Sequence, residues 1–170
     1  MNLKHLEPML HSPIHNYIVP GLTSWLVGAP SPMGTVRMFD MARHQTHFVT
    51  PHSHRYALTC YVLVGSVVNI AYMSNVGGDY FARSRQTYKE MGQYELEHED
   101  NVSMKPCPVQ YDAGASYSMD ADEFHSIAFD RGSKVLIFEG PKVADHSFVL
   151  EPVIKGVVVP THRTEPWMFK

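Results

Sequence analysis

Cysteine is scarce in this chain. Cys60 and Cys107 are the only two in 170 residues, and neither belongs to a C-x-x-C pair, which removes zinc-ribbon and thioredoxin-like readings. Both are expected to be free thiols in a reducing, cytoplasmic setting. Long apolar runs are missing too. None approaches the ~20 residues of a membrane span, so no membrane partner is expected. The segment Met1 to Pro8 lacks the apolar stretch of a secretory signal, which argues against export by that route. There is no basic excess either: 14 Lys and Arg stand against 17 Asp and Glu, so nothing marks a nucleic-acid partner. No serine or cysteine triad, P-loop or dinucleotide fingerprint is found. Helical periodicity is nearly absent, the best candidate being a short segment before Pro8.

What is present reads as short strands and turns. Thr35–Met41 alternates weakly, as a half-buried strand should. Tyr56–Leu63 and Ser66–Met73 are rich in β-branched and aromatic residues, with Gly65 between them as a turn. Asn75-Val-Gly-Gly-Asp79 is a strong turn signal, and the arms on either side of it are expected to form a hairpin. Gln93–Asp100 is polar and acidic and fits a solvent-facing strand or loop. Val109–Tyr111, Tyr117–Met119, Phe124–Phe129 and Lys134–Phe138 are further strands, the last two joined by a tight turn at Arg131-Gly132. Pro141, Pro152 and Pro160 divide the rest into short extended pieces ending in Trp167-Met-Phe169. Strands at this spacing, with no linker or repeat, predict one all-β domain over residues 1–170, a sandwich or barrel.

Of eleven histidines, three have spacing or context that calls for a metal. His52 and His54 lie two residues apart, which on an extended segment puts both imidazoles on one face. His125 lies within another strand-like run. Neutral imidazole is the commonest metal-ligating side chain, and three of them leave an ion with open positions, which suits catalysis more than a closed structural site. The alternative is a set of hydrogen-bonded histidines lining an interior. Without a thiolate, the donor set favours iron(II), manganese, nickel or zinc.

These residues resemble the cupin superfamily. Its first motif is His-x-His, three residues, Glu, then an apolar stretch ending in Gly; here His52 and His54 are followed by Arg55-Tyr-Ala57, Leu58, and a run ending at Gly65. Gly114 and His125 resemble the second motif. The likeness covers about residues 50–130. It implies a small double-stranded β-barrel, or jelly roll, with few or no helices and with a metal held inside. Leu58 stands where many cupins carry a glutamate ligand, so the resemblance implies a three-histidine site, as in thiol dioxygenases and related iron enzymes. The whole chain, including Phe138-Glu-Gly-Pro141 and the Trp167–Phe169 tail, also resembles cupin-like proteins of tailed phages.

Other side chains gain meaning from this arrangement. Tyr56, Leu58 and Cys60 share parity with His52 and His54 and are expected to point inward. Tyr56 is a candidate for holding or protonating a substrate, or else an interior aromatic. Cys60 reads as a core thiol. Arg37 is the best candidate for a guanidinium inside the barrel, where it would mark an anionic substrate. Arg43 is a weaker one, and Arg55, of opposite parity to His54, is expected to point outward. His44 and His47 read as edge or rim residues. The cluster Asp120–Glu123 reads as a solvated turn. Glu139 is either a buried carboxylate paired with an arginine or the first polar residue after a strand.

The sequence thus leads to a metal-dependent cupin, with His52, His54 and His125 as ligands and Tyr56 and Arg37 as catalytic candidates. By family analogy the reaction is iron-dependent oxygenation of a small polar molecule. A metal-dependent isomerase or lyase on the same site is an alternative. So is a non-catalytic cupin that sequesters a sugar or nucleotide, or a structural assembly component. A homodimer is expected from exposed sheet edges.

Overall fold

The computed structural model of the chain describes residues 5–89, 93–154 and 157–158. Among these, helical structure is confined to 3-10 geometry within residues 5–9, with a three-residue turn at Glu7–Met9, in place of the helix expected before Pro8. Everything else regular is strand, and the fold is all-β, as expected.

Among the described residues, eleven strands form two antiparallel sheets. They are β1 (Leu10–His15), β2 (Leu22–Val27), β3 (Thr35–Met41), β4 (Leu58–Val64), β5 (Ser66–Tyr88), β6 (Tyr94–Asp112), β7 (Ser116–Met119), β8 (Phe124–Phe129), β9 (Lys134–Glu139), β10 (His146–Ile154) and β11 (Val157–Val158). One sheet runs β1-β2-β3-β9-β4-β7. The other runs β11-β10-β5-β6, with β8 also paired to β5. β8 joins the first half of β5, from Val67 to Tyr72, and β10 joins the second half, from Phe81 to Thr87. Those two strands therefore share one edge of β5 end to end.

Side-chain alternation fills the space between the sheets. From the first sheet come Leu22, Phe39, Met41, Leu58, Cys60, Val62, Tyr117, Met119, Val135 and Ile137; Val67, Ile127 and Phe129 face them from the second. A smaller cluster of Phe81, Met104 and Leu150 lies apart from this core.

The Asn75–Asp79 signal does not make a hairpin. β5 runs through it, and both arms pair with β6: Ser74 and Asp79 both face Met104, so the intervening residues form a wide bulge. Two glycines permit this. Gly77 has φ +89°, and a Cβ on Gly78 would sit 2.5 Å from the Met104 carbonyl oxygen. The chain reverses later, where the Lys89 amide donates to the Gln93 carbonyl at 2.8 Å. The proline-broken C-terminal region also differs from expectation, because β10 continues through Pro152. That proline is the last residue paired with β5, opposite Phe81, and pairing with β11 begins at Val153, so its missing N–H falls at the end of a ladder, where it interrupts least. Pro160 and the Trp167–Phe169 tail lie outside the described residues.

Candidate metal centre and its cavity

The segment Pro51–Ser53 is not part of a named strand, but it is held like one. His52 exchanges both backbone hydrogen bonds with His125 of β8, at 2.9 and 3.0 Å. On its other side, the Ser53 amide donates to Phe148 O and the Leu150 amide donates to Pro51 O, both at 2.9 Å. This short extended piece therefore bridges β8 and β10. Residues directly opposite in an antiparallel pair carry their side chains on the same face. The pairing thus places His52 beside His125, and the period of two adds His54.

The ring centroids lie 4.7 to 5.0 Å apart, and one nitrogen from each ring can be chosen so that all three fall within 4.8 Å of one another. His125 Nδ1 is 2.7 Å from Asn69 Oδ1, and His52 Nδ1 is 2.8 Å from the Thr50 carbonyl oxygen. Both oxygens accept, so each ring carries its proton on Nδ1 and leaves Nε2 unprotonated. His54 Nε2 donates to the unprotonated His125 Nε2 at 2.9 Å. Two nitrogens at right angles around one ion, each at about 2.1 Å, would be separated by about 3 Å. Burial pushes the pKa values of His54 and His125 well below the ordinary histidine range, and the neighbouring imidazoles push the same way. Imidazoles held neutral, as His54 and His125 are, can turn an unprotonated nitrogen to a divalent cation, so the donor set fits such an ion.

These rings open onto a cavity of about 480 Å³ between the sheets, a size suited to a small molecule. Tyr56, Leu58 and Cys60 line it, as parity predicts, and so does Arg37. Glu139 lines it too, and the first of its two readings holds. Arg37 Nε donates to Glu139 Oε1 at 3.0 Å, and Nη1 donates to Ser24 Oγ at 3.3 Å. The charge of Arg37 is thus already engaged. Burial raises the Glu139 pKa against the pull of Arg37 and of the Tyr56 hydroxyl. Burial also raises the Tyr56 pKa well above its ordinary value, and the nearby Glu139 carboxylate adds to the rise. Tyr56 therefore stays protonated at neutral pH. Burial lifts the Cys60 thiol to about 11, so it remains a thiol.

Arg55 departs from the outward placement that parity predicts. The chain bends at Arg55 and Tyr56 before β4 begins, so alternation does not fix the direction of Arg55, which sits at the bend. The guanidinium turns into the cavity and packs over the Tyr88 ring at 4.0 Å. Arg43, His44 and His47 are exposed and do not line the cavity. Asn69, which orients His125, was missed. Its signal was a polar residue inside the apolar run Val67-Val-Asn-Ile70 with the parity of buried Val67.

No protein-family model matches the chain, and no curated protein matches it at a significant level. Solved structures do resemble it in outline. KdgF from Halomonas sp. is 16% identical, with 78% of this chain and 89% of that one covered, at TM-score 0.43. The hydroxypropylphosphonic acid epoxidase from S. wedmorenis is 14% identical, with 75% and 54% covered, at TM-score 0.46. This chain spans about half the length of that enzyme. A cupin superfamily protein from Desulfitobacterium hafniense is 14% identical, with 76% and 83% covered, at TM-score 0.42.

Proposed function

We propose that this chain is a metal-dependent enzyme of cupin type, in which His52, His54 and His125 hold one divalent ion, iron(II) by preference. The reaction proposed is oxygenation of a small polar molecule. One observation carries the reading: three imidazoles converge, and the Nδ1 atoms of two of them are taken by Thr50 and Asn69, which leaves Nε2 as their unprotonated nitrogen. A cluster of merely structural histidines has no need for that tautomer. Bound iron would supply dioxygen activation, with the open positions left by a three-nitrogen donor set.

The protein's own residues supply the rest. Phe39, Leu58, Ile127 and Ile137 wall the cavity and keep bulk water from the reacting atoms. The neutral Tyr56 hydroxyl donates its one proton to Glu139 and so offers a ligand its oxygen as an acceptor. Arg37 acts through Glu139, holding the carboxylate against Tyr56, and is a positioning residue rather than the anion clamp expected of it.

A second reading is a binding protein without turnover. It is favoured by Leu58 at the position of the family glutamate and by the engagement of Glu139 with Arg37, which leaves no free carboxylate as a base among the described cavity residues. A metal-dependent isomerase or lyase would use the same ligands.

The test is elemental analysis of untagged protein beside His52→Ala and His125→Ala. Near-stoichiometric iron, nickel, manganese or zinc in the parent, lost in both variants, is the expected result. Protein that stays metal-free after incubation with iron(II) or zinc overturns the reading.

A further inference from the structure

We propose that Arg55 is the anion-binding residue of this cavity, and that the ligand is a small molecule carrying a carboxylate or phosphoryl group. The proposal rests on the reading of the cavity as a ligand site, and it adds the ligand's charge and the residue that reads it.

The argument begins with the arginines. Arg83 and Arg85 are engaged on the outer surface by Asp100 and Glu99. Arg37 is engaged inside by Glu139 and Ser24. Arg55 also lines the cavity and is half-buried, yet among the described residues its guanidinium makes no ion pair and no hydrogen bond. Its nearby counter-charge, the Glu139 carboxylate on which it acts through space, is already paired with Arg37, and a partly desolvated charge without a partner of its own is unfavourable unless something supplies one.

Its geometry suits an incoming anion. The guanidinium lies against the Tyr88 ring at 4.0 Å. The ring is itself held, with the Tyr88 hydroxyl 3.2 Å from Ser147 Oγ. The Arg55 backbone is tied down as well, its carbonyl accepting from the Val143 amide at 2.8 Å and the Ala144 amide at 3.3 Å. Contact with the ring fixes the guanidinium in place, and its N–H groups, which make no hydrogen bond to the described residues, are available for bidentate contact with a carboxylate or phosphate. Little side-chain freedom remains to be lost on binding.

The balance of charge agrees. Glu139 is cancelled by Arg37, and Lys89 at the rim by Glu95. Arg55 is the charge left over, in a chain whose net charge is −3. Since Arg55 follows His54 directly, an anion held there keeps the remainder of a small ligand within the same cavity as the three histidines.

The experiment is calorimetric titration with benzoate, phenyl phosphate and the neutral isostere benzamide. It is run on metal-free protein and repeated on wild type, Arg55→Gln and Arg55→Lys, with metal uptake measured on each. The expected result is that benzoate or phenyl phosphate binds the metal-free wild type at least tenfold more tightly than benzamide. Arg55→Gln should lose that preference, Arg55→Lys should keep part of it, and metal uptake should stay unchanged in both. The stronger of the two anions identifies the group. Equal binding of all three compounds, or an anion preference that survives in Arg55→Gln, overturns the proposal. Because this arm contains no metal, its failure is distinct from a failure of the metal reading, which would appear as absent metal uptake in the wild type.

Discussion

Two acceptors decide which nitrogen each histidine offers to the centre. Thr50 O is backbone and cannot be changed, but Asn69 Oδ1 can. Asn69→Ala would leave the His125 Nδ1–H buried without a partner and free the ring to turn or change tautomer. Losses of this kind lower metal affinity by about 10- to 100-fold, which competition against a chromophoric chelator would read. Unchanged affinity would mean that Asn69 does not fix the ring. Protonation gives a second expectation for the metal-free protein. The folded-state pKa values of His54 and His125 are depressed, whereas in the unfolded chain both titrate near about 6.5. As pH falls below that value the unfolded state takes up protons that the folded state refuses, so stability is lost progressively toward acid. Urea midpoints should fall between pH 7 and pH 5.5, and the fall should be smaller in His125→Gln. A flat profile would indicate rings more hydrated than their burial implies. The three histidines could be read from the sequence because a period of two survives in the short bridge at Pro51–Ser53. Arg55 departs from parity because it sits at the bend that follows His54, where the backbone is not extended.

At the scale of elements, the strands that place the site were the legible ones. β3, β8 and β9 lie within a residue of where alternation puts them, because each has one face in the core. β1 was not anticipated, being half exposed and lacking a clean apolar face, nor was β2. The bulge in β5 was mistaken for a hairpin because Gly-Gly serves either use, and only the partner strand decides between them. Another glycine bears directly on the cavity. Gly34 precedes β3 with φ +134°, and a Cβ there would lie 2.1 Å from the Glu139 carbonyl oxygen. Gly34→Ala must therefore strain its own backbone and push back the end of β9, which carries the partner of Arg37. We expect a cost of at least about 2 kcal/mol, a fall in Tm of roughly 4–8 °C for a chain of this size. Metal uptake should survive, since the ligands lie on other elements. A Tm within a degree of wild type would show that the end of β9 yields freely.

The whole molecule presents an unusual outer face. On the first sheet, many of the residues that alternate away from the core are themselves apolar, although the Asp40–Lys134 and Thr59–Ser118 pairs are not. Trp25, Met38, Leu136 and Tyr61 face one another across β2, β3, β9 and β4, and Val36 stands opposite Phe138 in the adjacent row. Met38 is 5% exposed although it belongs to neither core cluster, while Tyr61 and Phe138 are 43% and 42% exposed with their rings 5.7 Å apart. An antiparallel sheet with a solvated outer face ordinarily alternates apolar with polar residues. Large aromatics at the centre of a sheet, with few charges among them, have the composition of an interface core. The homodimer expected from sheet edges is therefore better placed on this face than on an edge. Light scattering coupled to gel filtration should give twice the chain mass for the wild type. Tyr61→Glu combined with Phe138→Glu, both outside the cavity, should give a monomer with its metal uptake intact. A monomeric wild type would remove the dimer. A dimer that survives both substitutions would move the contact elsewhere, with the exposed edges of β1 and β6 as the next surfaces to alter.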